Sequence, residues 1–164
     1  MIDYIGDILV IESNCWQGRV LTPFTGKYNH TALRTQQNVA TALTNEGMEK
    51  YYLSDPPKEY EEFKVMRHKK ISDLDRRRIK GLDMILGKDY DYLLLLKLMS
   101  RQILNLDRNN EDLSRDDKFT CLSRIGRMYH LIGKEIREDI HYSQLYPVDV
   151  LDSPNFEEVS RWKR

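Results

Sequence analysis

Cysteine is scarce in this chain of 164 residues: only Cys15 and Cys121 occur, and no Cys-x-x-Cys pair is present. Two cysteines do not make the framework of a disulfide-rich secreted domain. The four histidines lack the His-x-x-x-His spacing of a zinc site, so neither a metal nor another cofactor is expected. We therefore predict a reducing, cytoplasmic setting, which keeps both thiols available for reaction.

An excess of charge of one sign is also lacking, because 26 Lys and Arg balance 26 Asp and Glu. No overall field attracts nucleic acid, which is not an expected partner. The most apolar run, residues 93–96, is far too short to span a bilayer, so no integral membrane segment is expected. The N-terminus has no basic region before an apolar run, and we expect no secretory signal. A viral or phage product released at lysis would need none.

The apolar pattern predicts a single α+β domain over residues 1–164, with an antiparallel sheet packed against helices. Short apolar and β-branched runs separated by turn residues predict strands at residues 8–11, 28–35, 38–43, 48–53 and 63–67. Ser13 and Asn14 are expected to cap a short helical piece that Pro23 and Gly26 end.

The second half of the chain has helical spacing. A capping box at Ser72-x-x-Asp75 begins one helix, and its basic residues (Arg76, Arg77, Arg78 and Lys80) are expected on a solvated face. Residues 93–106 predict a largely buried helix, and residues 105–117 predict a polar loop of the kind that borders sites. From Tyr146 onward we expect an extended tail whose last residues, 162–164, fray.

Cys121 is placed at the start of a helix. A polar run precedes it, and apolar residues follow at helical spacing (Leu122, Ile125, Met128, Tyr129 and Ile132). Unpaired N–H groups and the helix dipole favour a thiolate in the first turn, and the same N–H groups can hold a developing oxyanion. The alternative is a buried cysteine that only packs, which is common for free cysteines.

A cysteine nucleophile needs a base, and His30 has the best context among the histidines. It lies on a predicted strand, on the same face as the small residue Ala32. His68 stands in a basic run, and His130 is nine residues along the Cys121 helix, whereas His141 in a loop stays open as an alternative. A purely structural role for His30 is equally compatible with its strand.

Taken in order, these segments resemble a known family. Gly6-Asp7-Ile8-Leu9-Val10, Trp16 to Arg19, Phe24-Thr25-Gly26 and Tyr28-Asn29-His30-Thr31-Ala32 resemble the opening of the permuted papain-like hydrolases, closest to the YiiX-like branch of NlpC-type amidases and peptidases. Gly87-Lys88-Asp89-Tyr90-Asp91-Tyr92 resembles that family's Gly-x-x-Tyr-Asp element, and Phe119-Thr120-Cys121-Leu122-Ser123 resembles its nucleophile element. The histidine strand precedes the cysteine helix, as in this family and opposite to papain.

The resemblance implies a papain-like fold, circularly permuted as in the NlpC type, with Cys121 as nucleophile and His30 as base. A third polar residue would orient the imidazole. The returning strand contains no acid, so Glu46 in the following turn is the first candidate, ahead of Thr41, Thr44 and Asn45. The family often has Ser-Glu after the cysteine, where this chain has Leu122-Ser123.

Further residues are expected near the substrate. Tyr90, Asp91, Trp16 and Asp7 are the candidates for binding it, although a buried tyrosine with a satisfied hydroxyl is an equally good interpretation of Tyr90. Cys15 precedes the histidine strand and is interpreted as structural or cleft-lining.

The implied function is that of a thiol hydrolase, a cysteine amidase or peptidase. Its substrate would be peptide-like, peptidoglycan-like or a lipid amide, cleaved through a thioester on Cys121. Two alternatives remain: a lipid acyltransferase or thioesterase, and a catalytically degenerate binding or structural protein on the same fold.

Overall fold

The computed structural model describes residues 4–114 and 118–164, apart from the side chains of residues 16–18 and 20. Its strands are β1 (Ile8–Ser13), β2 (His30–Gln36), β3 (Val39–Thr44), β4 (Gly47–Tyr52), β5 (Tyr60–His68), β6 (Asp89–Tyr90), β7 (Lys118–Phe119) and β8 (Phe156–Lys163). Its helices are α1 (Trp16–Thr25), α2 (Asp73–Ile85), α3 (Tyr92–Ile103), α4 (Cys121–Leu131) and α5 (Pro147–Asp152), with a 3-10 turn at Tyr142–Gln144.

Six strands form one antiparallel sheet in the order β4-β3-β2-β1-β5-β8. The first four are neighbours both in the sheet and along the chain, apart from α1 between β1 and β2, which confirms the predicted meander and the α+β class. Side chains alternate between the two faces of each strand. In β2, Leu33 therefore lies on one face and Ala32 on the other. His30, two residues before Ala32, shares the face of Ala32, as the sequence predicts.

The larger core lies on the face covered by α2, α4 and α5. Ile8 and Leu33 of the sheet pack there against Leu122 and Met128 of α4, and all four side chains are nearly inaccessible to solvent. Burying each such side chain contributes about 1.5–3 kcal/mol. This packing fixes α4 against the sheet and so determines where its first residue lies.

Two of the predicted helix starts, those of α2 and α4, have capping boxes. In α2, Ser72 accepts from the N–H of Asp75, and the Asp75 carboxylate accepts from the N–H of Ser72. In α4, Thr120 and Ser123 make the same reciprocal pair. Cys121 is therefore the first residue of its helix, as the sequence predicts.

The prediction of a largely buried helix at residues 93–106 was wrong. The helix runs from Tyr92 to Ile103, and only Leu94 and Leu98 are buried, because this pair, four residues apart, faces inward. Leu93 and Leu96 point away and are 51% and 58% exposed. No helix in the described parts of the chain has both the length and the apolar character needed to cross a bilayer.

The prediction for the tail was right in part: Phe156–Lys163 is extended and Phe156 is buried, but residues 147–152 are helical and the end does not fray. Pro147 begins α5, since proline is well suited to a first helical turn. The chain then adds β8 to the edge of the sheet beside β5. Near its end, the Trp162 ring stacks on Phe63 with centroids 5.3 Å apart and planes 12° apart, which holds the terminus in place. The α1 helix continues through Pro23 and ends at Thr25, directly before Gly26, the second of the two predicted breaks.

Candidate active site

The start of β2 and the start of α4 bring His30 and Cys121 together. Although 91 positions separate them in the chain, their side chains are hydrogen-bonded to each other. The β2–β3 ladder begins only at Leu33 and Thr41, so the first residues of β2 have no ladder partner on that side. The N-terminus of α4 lies close to these residues, since the Cys121 side chain interacts with both His30 and Thr31.

The environment of the Cys121 sulfur favours its thiolate. Burial opposes ionisation, but the charge of His30 and hydrogen bonds from His30 and Thr31 outweigh it, so that the pKa of the Cys121 thiol is lowered. A neighbouring histidine and a helix N-terminus are two surroundings that activate cysteines in proteins. The contacts of Cys121 therefore favour its thiolate over its thiol.

Thr31 is a residue that the sequence interpretation missed. Its Oγ1 atom is buried and has no hydrogen-bonding partner of ordinary geometry in the described part of the chain. Its hydroxyl and its backbone N–H both contribute to lowering the pKa of the Cys121 thiol. An otherwise unpaired donor next to the sulfur is stabilised by a negative charge there.

The first turn of α4 also supplies donors for an oxyanion. The N–H of Ser123 is used by the Thr120 side chain, and the N–H of Arg124 by the Thr120 carbonyl. The N–H groups of Cys121 and Leu122 come earlier in the turn and have no intrahelical acceptor. The Ser123 hydroxyl accepts from the N–H of Thr120, which gives this residue a capping role.

The predicted Tyr90-Asp91 element lies directly beside the segment that leads into Cys121. β6 pairs with β7 in parallel, which places Tyr90 opposite Phe119, two residues before Cys121. Burial, followed by the proximity of Cys121, Tyr92 and Cys15, raises the pKa of the Tyr90 hydroxyl, which is therefore a neutral donor at working pH.

Asp91 has a structural contact rather than an exposed binding position. Its Oδ1 accepts from the N–H of Leu94 at 2.9 Å and caps α3, and its own N–H donates to the Phe119 carbonyl at 2.8 Å. The residue is 1% exposed. It thereby fixes α3 and Tyr90 relative to the start of α4.

Two neighbouring cavities surround the pair. Cys121 lines a small one of about 30 Å³, and His30 lines a larger one of about 530 Å³, within the range of ligand-binding clefts. Five residues form walls of both: Leu21, Asn29, Tyr90, Leu95 and Met99. Cys121 is only 8% exposed, and it is among the lining residues of the smaller cavity but not of the larger one.

The expected third residue, Glu46, lies at the turn between β3 and β4. Its side chain is exposed and lines the larger cavity, and its N–H donates to Thr44 Oγ1 at 3.2 Å. Thr44 lies on the face of β3 that carries Ala42, the same face as His30. The role of Glu46 in orienting the imidazole stays a prediction.

Glu49 is a second acid in the cavity and was not considered from the sequence. It is half-buried, pairs across the sheet with Ala42, and therefore faces the cavity from β4. Its Oε1 lies 3.2 Å from Thr44 Oγ1. Alternation along the predicted strand at 48–53 places it on one face with Tyr51, but only the sheet register shows that this is the face of His30.

Asp7 is not brought to the candidate site. It lies at the opposite end of β1 from the residues that pair with His30, and it is 1% exposed. Arg67 donates two hydrogen bonds to its carboxylate, at 2.8 and 2.7 Å, with Arg34 and Arg76 within 4 Å. Arg76 is thus buried, contrary to the solvated face predicted for it.

The other predicted residues have varied positions. Cys15 is half-buried and lines the larger cavity, as expected. Trp16 begins α1, and its side chain lies outside the described residues, as do the last three residues of the predicted loop at 105–117. His141 accepts a backbone hydrogen bond from Ser143 and caps the 3-10 turn, away from both cavities.

Within the described residues, no group of three or more His, Cys, Asp and Glu side chains is arranged to hold a metal ion. A scan against models of known protein families finds no match for this chain, and a search of curated proteins finds no similar sequence. The assignment of a function therefore rests on the geometry of His30 and Cys121.

Proposed function

We propose that this protein is a thiol hydrolase of the permuted papain-like type, with Cys121 as nucleophile and His30 as general base. The hydrogen bond between these two side chains, together with the lowered pKa of the thiol, is the observation that carries the proposal. The order of the elements, with the histidine strand before the cysteine helix, agrees with the permuted family. A peptide-like, peptidoglycan-like or lipid amide met in the cytoplasm is the proposed substrate class.

The reaction would proceed in two steps. The Cys121 sulfur attacks the carbonyl carbon, and the N–H groups of Cys121 and Leu122 hold the oxyanion that forms. The C–N bond then breaks, and the amine leaves with the proton that His30 holds. In the second step His30 takes a proton from water, whose oxygen attacks the thioester, and the acid leaves as the thiol is regenerated.

An activated ester tests this chemistry without knowledge of the natural substrate. With 4-nitrophenyl acetate we expect a burst of 4-nitrophenolate equal to the protein concentration and one acetyl group mapped by mass spectrometry to Cys121. His30→Ala is expected to slow the burst by at least about 100-fold, because a positioned general base contributes about 10²–10⁴-fold.

The second thiol provides the matched control. Cys15→Ser should retain the burst, and Cys121→Ser should abolish it. A burst of unchanged rate in Cys121→Ser, or acetylation confined to Cys15, would contradict the proposal.

One observation favours a second candidate function, a binding protein that keeps this fold without chemistry. Cys121 is only 8% exposed and does not line the larger cavity. If the sulfur stays inaccessible from that cavity, a ligand bound there is not turned over. Complete inertness of Cys121 to iodoacetamide in the native protein, with normal reaction after unfolding in urea, would favour this function.

A further inference from the structure

The larger cavity has acidic walls on one side. Glu46, Glu49 and Glu59 line it, and no Lys or Arg is among the lining residues that the structure describes. None of these three carboxylates takes part in an ion pair within the described residues, although the chain as a whole carries equal numbers of positive and negative side chains. The local imbalance therefore belongs to this cavity rather than to the overall composition.

Glu49 and Glu59 both affect the ionisation of Tyr60, a residue that lines the same cavity. Tyr60 is 3% exposed and lines the cavity, and its ring centroid is 6.1 Å from that of His30. Burial raises the pKa of Tyr60 most, and the neighbouring Tyr51 and then the carboxylates of Glu49 and Glu59 raise it further. The negative potential thus extends to the part of the cavity next to the proposed base.

The opposite wall is apolar. It is formed by one side of α3, with Leu95, Leu96 and Met99, and by Tyr92 at the start of that helix. A ligand that fills the cavity therefore meets carboxylates from β4 and from the residues just before β4 and β5, and hydrocarbon from α3. Low-dielectric walls strengthen the field that a nearby charge produces in a cleft.

We infer that the cavity selects an organic cation with an apolar portion, a substrate whose amine or guanidinium group lies against Glu49 while its apolar part lies against α3. Glu49 is the main determinant because it is half-buried and its Thr44 partner holds one of its oxygens, whereas Glu46 and Glu59 are exposed at the rim. As an account of substrate choice the inference rests on the proposed function. The charge preference itself can be measured separately.

Cys15 serves as a built-in reporter, since it lines the same cavity as the three acids. In a Cys121→Ser background it would be modified with three methanethiosulfonate reagents carrying a trimethylammonium group, a methyl group or a sulfonate. In each case the thiolate forms a disulfide and methanesulfinate leaves. Rates are followed by intact mass and divided by those of 2-mercaptoethanol, which removes the intrinsic difference between the reagents.

The cationic reagent is expected to react at least about tenfold faster than the anionic one after this correction, with the neutral reagent between them. Glu49→Gln, which preserves size and the contact with Thr44, should reduce the ratio several-fold. Glu157→Gln, an exposed acid on the edge strand β8, should leave it unchanged. Melting curves would verify that all variants are folded.

The source of the cation is addressed by a competition arm. An excess of N-acetyl-lysine amide, which offers only a side-chain amine, and of leucine amide, which offers only an α-amine, should each be tested for slowing the modification. Stronger protection by N-acetyl-lysine amide would assign a side-chain amine as the cation that the cavity binds. Stronger protection by leucine amide would assign the amine of a chain terminus.

Equal corrected rates for the cationic and anionic reagents would overturn the inference, and so would a preference that Glu49→Gln does not alter. Neither result depends on Cys121. A failure of the ester burst would instead overturn the proposed function and leave the charge preference standing as that of a binding cavity.

Discussion

Replacement of Asp7 by asparagine distinguishes a structural carboxylate from a substrate-binding one. The Asp7 carboxylate is 1% exposed and is the common partner of Arg34, Arg67 and Arg76, with two short hydrogen bonds from Arg67. Removing one partner of a buried ion pair costs about 3–5 kcal/mol, because the remaining charge is left buried without compensation. Arg67 is itself 26% exposed, which lets water stabilise it and favours the lower end of that range.

A loss of about 3 kcal/mol corresponds to a decrease in Tm of roughly 10 °C for a chain of this length. Differential scanning calorimetry would measure it, with Asp139→Asn as the matched control, because Asp139 pairs with Arg137 at the surface and its loss should hardly change Tm. The rate of the 4-nitrophenolate burst, measured at a temperature where Asp7→Asn is folded, should stay near that of the wild type. An unchanged Tm combined with a slower burst would refute this reasoning and support the substrate contact suggested by the sequence.

Two further predictions concern Cys121, the proposed nucleophile, and the end of the chain. Because the pKa of the Cys121 thiol is lowered, its thiolate should persist at pH values where an ordinary thiol, with a pKa of about 8.5, is protonated. Alkylation by iodoacetamide in Cys15→Ser should therefore decline only when the pH falls through that lowered pKa, and a decline already beginning near pH 8.5 would contradict the thiolate. Trp162→Ala should destabilise the fold by about 1–3 kcal/mol in urea titrations through loss of stacking on Phe63. An unchanged midpoint would mean that β8 contributes nothing at its end.

Local signals in the sequence were sufficient for the elements that carry the candidate pair. Turn residues and β-branched runs define β1 to β4, and the change to helical spacing after Cys121 defines α4. Capping depends on a few consecutive residues, which is why the Ser72 box and the helix-start position of Cys121 were predicted correctly.

Errors arose where burial depended on distant segments. The run of leucines in α3 suggested a buried helix, yet only the inward-facing pair has a neighbour to pack against. The last residues carry two prolines that suggested an extended tail, but the open edge of β5 offered them hydrogen bonds and a stacking partner in Phe63. Arg76 looked like one member of a solvated basic face until Asp7, 69 positions earlier, proved to be beside it.

By itself the sequence determined that Cys121 begins a helix and that His30 lies on a strand, because helix caps and strand alternation depend on neighbours along the chain. Only the tertiary structure decided that His30 and Cys121 touch, that Thr31 directs its donors at the same sulfur, and that Glu49 rather than Asp7 faces the cavity. The physical reason is that pairing across the sheet and packing of α4 on its face join residues whose separation along the chain carries no local signal.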